Sequence, residues 1–597
     1  MMTGSGLPGL WGAPIRYLLC AAACLLLIWA FAVPIFEAPD EQSHWEIARY
    51  LYDHHRLPFY DSHLVEANQP PLYYVLIAPF AKPTPWPPSG MFTDSQGRYL
   101  PIYPPKVWVN TDPNFHKFWP IRKARLLTVL FSILAVVFCY LAGAELTRRP
   151  MTGFLAAGLM AFLPQFLYRG MNVSNDALVT ATSAVALYAI VCVLQRGYSV
   201  RLGVVTAMLI AMAFLSKVNA ISLVGPFGLA IVWERSPWLI RLRRLSVFAV
   251  SLAIVSPWLI RNQILYGDVL ASKQMYIAVP GLMDPKSITS PFFVVDFPRV
   301  IWRSFIGGFG GAMTLWLPEA VYKGFALLAA AAVLGLVWRL LRKPETRRPL
   351  AILFTVPVIA LALAVIFNLT QSQPQGRYLF PALSAIAVLT AVGLESLPMW
   401  NESCSRVLVT LLAVLNVAIL CGIIVPTYWS TEQRPGRVPD VMVSDALMRT
   451  TAGPLHDGDS LMQSFVAHGN DLSRVEIEVA TYTKVIPSGW LRIQLLEGTG
   501  DREVASWRIP LSGVADNSFV ALDFPPIPDS QNKPYAIVIE PNQAPAGYAV
   551  TVWLSDHDVY PDGVCRLNGR DLHADTSFRT FAAPAAALSH PSDSAAR

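Results

Sequence analysis

The stretch Tyr17-Leu-Leu-Cys-Ala-Ala-Ala-Cys-Leu-Leu-Leu-Ile-Trp-Ala-Phe-Ala-Val-Pro-Ile-Phe36 is followed at once by Glu37-Ala-Pro-Asp-Glu-Gln-Ser-His44. The first part carries no charge and has the length, about 20 residues, that a helix needs to cross a bilayer. Arg16 precedes it, and it is longer than a secretory h-region, so it reads as an uncleaved transmembrane helix. The second part places two adjacent carboxylates, Asp40 and Glu41, and the His44 imidazole where the chain leaves the membrane. Such groups are costly at that depth unless they are solvated or in use.

Outward from this point the chain stays apolar. Hydrophobic residues make up 54% of it and charged residues 14%, with a mean hydropathy of +0.43. Soluble domains carry about 25% charged residues, so the reading is a mostly α, polytopic membrane protein. Eleven candidate spans follow from the apolar runs: 17–36, 124–145, 151–168, 176–195, 202–216, 219–233, 245–262, 319–340, 349–367, 378–396 and 406–427. With the N-terminus cytoplasmic, the short inner loops hold thirteen Arg and Lys between Arg148 and Arg348. The short outer loops hold only Arg169, Lys217 and Arg377. This bias places the loop 37–123 and everything after residue 428 outside. The net charge of +6 lies in loops between spans and does not point to nucleic acid. Seven scattered cysteines, six of them in or beside apolar runs, offer no disulfide framework and no paired zinc motif.

Two outer loops are long. In 37–123 an amphipathic helix is expected from Asp40 to about His55, with Trp45, Ile47, Ala48 and Leu51 on one side. In 263–318, Phe292-Phe293 and the glycine-rich Gly307–Gly311 read as interfacial pieces. The transmembrane domain thus covers 1–430. From about 440 short alternating runs begin near Val475, Trp490, Val504, Phe519, Tyr535 and Tyr548, separated by turn residues. They predict an all-β sandwich or jelly roll over 440–582, with Trp490, Trp507 and Trp553 as candidate glycan-facing aromatics. Residues 583–597, rich in Ala, Ser and Pro, are expected to be disordered.

The chemistry-bearing residues fall in the outer loops. A carboxylate after Pro39 can simply cap the next helix, because free N–H groups and the helix dipole favour negative charge there. The functional alternative is that one carboxylate removes a proton from a hydroxyl, its pKa tuned by partial burial. Glu41 and His44, three apart on one helical face, can orient that base, bind a divalent cation or contact a phosphate. The turn Asn68-Gln-Pro-Pro-Leu-Tyr-Tyr74 matters only in combination with this motif. Asn172-Val-Ser-Asn-Asp176 either caps the fourth span or supplies a second carboxylate on the same face. Lys217, and Arg377 in Gln373-Pro-Gln-Gly-Arg-Tyr378, either snorkel to headgroups or hold a lipid phosphate. Arg377 is favoured for its bidentate guanidinium; Arg169 and Arg261 rank lower. Asn172-Val-Ser174 and Asn368-Leu-Thr370 match glycosylation sequons.

The order of these motifs resembles the GT-C superfamily of polyprenyl-phosphate-sugar-dependent glycosyltransferases. The similarity is to the protein O-mannosyltransferase and aminoarabinose transferase clan, and to a bacterial membrane-protein family sharing Pro-Asp-Glu-x-x-His, over about residues 17–395. The resemblance implies that Asp40 is the first-loop catalytic acid and Glu41 its acidic neighbour. It also implies that Asp176 is the second-loop acidic position and Arg377 a basic residue near the phosphate. His44, Lys217, Gln69 and Tyr378 join them as substrate contacts. His44 departs from the mannosyltransferase pattern, so a mannose donor is not implied, and the β-domain does not imply a lipid A acceptor.

The resulting expectation is an inverting glycosyltransferase at the periplasmic face of a bacterial inner membrane. It would move a sugar from a polyprenyl-phosphate donor to a glycan, lipid or protein acceptor. No nucleotide and no certain cofactor are expected. A divalent cation on Asp40, Glu41, His44 and Asp176 is compatible with a spacing that is not diagnostic. A lipid-linked glycan flippase and a non-catalytic envelope scaffold are the alternatives.

Overall fold

The computed structural model describes residues 12–60, 64, 66–82, 119–234, 236–274, 285–310, 315–371, 373–429, 439–443, 448–482, 486–498, 502–514, 518–545, 547–555, 558 and 560–582. Two compact units divide this chain, one before residue 430 and one after it. The expected tail 583–597 and most of the distal first loop, 83–118, lie outside the described residues.

The first unit is helical. Among the described residues, seven helices are long and apolar enough to cross a membrane: Ala13–Ala32, Trp119–Thr147, Asn175–Arg196, Glu319–Arg342, Pro344–Gln371, Gly376–Leu394 and Glu402–Tyr428. Not all of the eleven expected runs meet that test among the described residues, so the count of eleven is not confirmed. The run 151–168 is two helices, Pro150–Ala161 and Pro164–Gly170, bent by 68°. Pro164 has no N–H to continue the ladder, and Leu163 before it is held extended at ψ 119°. The runs 202–216 and 219–233 are short apolar helices, Val200–Ser216 and Val218–Val232. The second of them opens with a tight turn, Val218–Leu223, before becoming α-helical. The remaining segment forms Phe248–Tyr266 and contains Pro257.

Helix contacts in this unit rely on small residues. A Cβ added to Gly335 would lie 1.9 Å from the Gly393 carbonyl oxygen, and one added to Gly393 would lie 2.1 Å from that of Ala332. The two backbones touch where apolar side chains alone offer little driving force between helices in lipid. Gly335→Ala is expected to push the helices apart and destabilise the unit by about 1–3 kcal/mol. The readout is the melting temperature of the detergent-solubilised protein, and an unchanged value would refute the close contact.

The predicted amphipathic helix is present as Glu41–His54, burying Trp45, Ile47 and Ala48. The second outer loop supplies Phe297–Ile306 and a small hairpin of β1 (Gly308–Phe309) and β2 (Leu315–Trp316). Asn172 and Asn368, the two sequon asparagines, are fully buried, which removes them as glycosylation acceptors.

The second unit is a β-sandwich. One antiparallel sheet runs β13 (Arg570–Asp571), β12 (Cys565–Leu567), β5 (Leu461–Val466), β10 (Pro534–Asn542), β7 (Trp490–Glu497) and β8 (Arg502–Pro510). The other runs β3 (Pro439–Val443), β14 (Phe578–Ala582), β6 (Leu472–Ala480), β11 (Thr551–Ser555) and β4 (Met448–Thr451), with β9 (Ser518–Ile527) also on β6. Alternation along each strand puts residues such as Phe465, Ile477, Ile493, Ile537, Val552 and Phe578 in one shared core. The three tryptophans singled out above are only half-exposed. Trp490 lies under the Arg508 guanidinium, and Trp507 packs on Phe524.

Candidate active site

The acidic pair splits at its first peptide bond. Asp40 sits at φ 64°, in the left-handed region, and its side chain accepts no capping hydrogen bond. The simple helix-cap reading is therefore not how this carboxylate is used. An Asp tolerates that conformation better than most residues, and the turn sends Asp40 and Glu41 in opposite directions. Asp40 is 33% exposed and Glu41 is fully buried.

Glu41 is committed to structure. Its two oxygens take Arg125 Nε at 2.7 Å and Nη2 at 2.5 Å, and also the backbone N–H groups of Phe36 (2.8 Å) and Val173 (2.9 Å). Arg125 spends its remaining N–H groups on the carbonyls of Ala30, Val33 and Pro34. The pair thus ties the end of the first span, the Trp119–Thr147 helix and the second loop together. Arg125 was missed in the sequence because nothing in Lys123-Ala-Arg125 distinguishes it from an ordinary flanking cation.

Asp40 faces a second cluster. It is ion-paired with Arg377, whose Nη1 also lies 3.6 Å from Asp176. Asp176 occupies the first turn of the Asn175–Arg196 helix, where the dipole favours a carboxylate. Lys217 Nζ reaches its Oδ1 at 2.6 Å; Arg169 Nε and Nη2 reach its Oδ2 at 2.9 and 2.6 Å. Arg169 Nη1 also donates to the Pro39 carbonyl at 3.1 Å, which fixes the backbone entering Asp40. The 68° break that precedes Pro164–Gly170 is what lets Arg169 point back at this loop. Gly376 seats Arg377: its N–H donates to Ser304 Oγ at 2.8 Å, and a Cβ there would lie 2.2 Å from the Phe305 nitrogen. Three cations, Arg169, Lys217 and Arg377, thus meet the Asp40 and Asp176 carboxylates.

The remaining sequence candidates border the same cluster. His44 is 2% exposed, and its Nδ1 bonds Tyr74 Oη at 2.8 Å. The Pro70-Pro71 turn therefore serves to place Tyr74 on His44. Gln69 Oε1 accepts from Asn175 Nδ2 at 3.2 Å, and the Tyr378 carbonyl accepts from Asn219 at 3.1 Å while its ring packs on Phe367. Arg261 stands apart, donating to the Leu57 and Pro58 carbonyls. Glu66, which the sequence reading passed over, joins Asp40 and His44: one carboxylate oxygen from each acid and a His44 ring nitrogen lie within 4.8 Å of one another.

Electrostatics separate the two half-buried acids, Asp40 and Glu66. Burial raises the Asp40 pKa, but Arg377 and Arg169 outweigh it and hold the group down to about 2. Burial and the neighbouring Asp40 charge push Glu66 up to about 7. Burial keeps His44 neutral, pulling it down to about 3 against the opposing pull of Asp40. The two carboxylates thus differ in how readily they ionise.

Residues 116–260, which contain Arg169, Asp176 and Lys217, match the family model of dolichyl-phosphate-mannose-protein mannosyltransferases. Over this segment the chain is similar to a family of membrane glycosyltransferases. No curated protein sequence matches this chain significantly. Among solved structures it is similar to the aminoarabinose transferase ArnT of Cupriavidus metallidurans bound to undecaprenyl phosphate. Identity there is 15% and the TM-score 0.40, covering 69% of this chain and 73% of the other. It is also similar to an Archaeoglobus fulgidus oligosaccharyltransferase in complex with Zn and sulfate (16%, TM-score 0.37, 69% and 52%). A third likeness is to the arabinosyltransferase EmbB of Mycobacterium smegmatis (11%, TM-score 0.35, 95% and 74%). At these values the three likenesses add no argument to the family match.

Proposed function

We propose that this chain is a GT-C-type inverting transferase that moves a sugar from a polyprenyl-phosphate donor to a hydroxyl of an envelope glycan, lipid or protein. The site faces the periplasm of a bacterial inner membrane, as the positive-inside bias suggests. The observation that carries the reading is the convergence of Asp40, Asp176, Arg169, Lys217 and Arg377. Asp40 removes the proton from the acceptor hydroxyl, whose oxygen attacks the anomeric carbon as the C–O bond to phosphate breaks. The leaving lipid phosphate keeps the bonding electron pair. Arg377 and Lys217 neutralise its growing charge.

The ion pair between Arg377 and Asp40 adds a safeguard to this scheme. Without donor, Arg377 suppresses the basicity of Asp40. A donor phosphate draws Arg377 away, and the carboxylate then becomes the stronger base that the acceptor needs. Glu41 has no part in the chemistry and acts by fixing the loop.

Purified enzyme supplied with a lipid-linked sugar tests the scheme through Arg377→Ala. The expected result is a fall in kcat/KM of about 10²–10³-fold, the usual cost of losing one charge-stabilising donor. Arg377→Lys should recover only part of it, since an ammonium lacks the bidentate fork. Wild-type kcat/KM in Arg377→Ala would remove Arg377 from the leaving-group site.

A further inference from the structure

The transfer scheme uses Asp40 but leaves His44 and Glu66 with no task, although the three offer ligand-type atoms within 4.8 Å of one another. They come from different places: Asp40 from the left-handed turn, His44 from the first turn of the next helix, and Glu66 from the turn ahead of Pro70-Pro71. Nothing local to one helix end explains the meeting.

The Tyr74 hydroxyl supports one tautomer of His44. Tyr74 Oη bonds His44 Nδ1 at 2.8 Å, and the same hydroxyl reaches the Glu66 carbonyl oxygen at 3.5 Å. A hydroxyl has one proton. Donated to the Glu66 carbonyl, it leaves the Tyr74 oxygen to accept from Nδ1–H. Nε2 then carries a bare lone pair, and among the described residues it has no hydrogen-bond partner. A buried imidazole whose second nitrogen is held by an outer group is the usual support behind a metal-ligating histidine. The two carboxylates beside it also repel one another unless a cation or a proton lies between them.

We propose that Asp40, His44 and Glu66 hold one divalent first-row cation, with open coordination positions facing the donor phosphate. One nitrogen and two carboxylate oxygens suit Mn²⁺ or Zn²⁺, and three protein ligands leave the open position typical of a working rather than a structural site. Ligand atoms around such an ion stand about 3–3.5 Å apart, given bonds of about 2.1 Å. One Asp40 oxygen on the ion leaves the other for the acceptor hydroxyl. The assignment of the open positions to a phosphate rests on the transfer reading above; the ion site itself does not.

The test uses full-length protein in detergent, stripped with a chelator and titrated with Mn²⁺, with the free-ion paramagnetic signal reporting binding. Wild type is expected to take up one Mn²⁺ per chain and to release it to Zn²⁺. His44→Ala and Glu66→Gln should each weaken binding by tenfold or more. Arg377→Ala should bind at least as tightly, because it removes the cation competing for Asp40. Mn²⁺ should also raise the melting temperature of wild type and not of Glu66→Gln, which reports on binding while confirming that the variant is folded. No uptake of Mn²⁺ or Zn²⁺ by wild type, or unchanged affinity in both ligand variants, overturns the site and leaves a shared proton between Asp40 and Glu66. The two readings fail separately. Absent metal with transfer lost in Asp40→Asn sinks only the ion. Bound metal with full transfer in Asp40→Asn sinks only the base.

Discussion

Asp40→Asn is expected to reduce kcat by about 10²–10⁴-fold, the range for removing a general base, while leaving the donor KM equal or lower. The amide matches the carboxylate in shape, so the left-handed turn and the helix behind it stay in place. What disappears is the proton acceptor and the charge that pairs with Arg377. Freed from that pair, Arg377 is more available to the donor phosphate, which is why binding should not suffer. The split between kcat and KM separates this outcome from a merely structural loss, which would lower the amount of folded enzyme and spare the turnover of what remains. Full transfer by Asp40→Asn in membranes with a working lipid-linked donor would sink the proposed mechanism.

The cluster around Asp176 was legible in the sequence as a charge count. Positive residues are scarce in the short outer loops, and the three found there, Arg169, Lys217 and Arg377, are the three that surround Asp176. Scarcity was the signal, because an outer loop gains nothing from random cations while every one that pairs in a partly dry site is retained for a reason. Arg169 ranked too low because its place depends on the helix break at Pro164, which an apolar run through 151–168 hides. The division between Asp40 and Glu41 was not legible at all. Adjacent carboxylates look equivalent in sequence, and only the positive φ of Asp40 decides that one faces the site and the other the interior. Glu66 was invisible for a related reason: a lone acid in a loop acquires meaning only when a turn 26 residues after Asp40 folds back onto it. The sandwich, by contrast, was readable from strand alternation, since every strand with one face in the shared core writes its period of two into the chain. Its short strands β12 and β13 carry too few residues for any period to show.

Glu41 offers the sharpest contrast with its neighbour, because its loss should act on stability before it acts on chemistry. Glu41→Ala leaves the Arg125 guanidinium fully buried with only the carbonyls of Ala30, Val33 and Pro34, which cannot balance a charge. Breaking a buried pair from one side costs about 3–5 kcal/mol. The variant also strands the N–H groups of Phe36 and Val173, each an unsatisfied buried donor. The melting temperature in detergent should therefore fall steeply. Removing the other partner, Arg125→Met, should cost a similar amount by leaving a buried carboxylate. The double variant Glu41→Leu with Arg125→Met should be far less damaged than the two single losses added together, because neither charge is then left alone. A catalytic Glu41 predicts the opposite pattern: a single variant that melts normally and is inactive, with no rescue of anything by changing Arg125. Additive losses in the cycle would show that the buried pair does not hold the first loop, and with it the placement of Asp40.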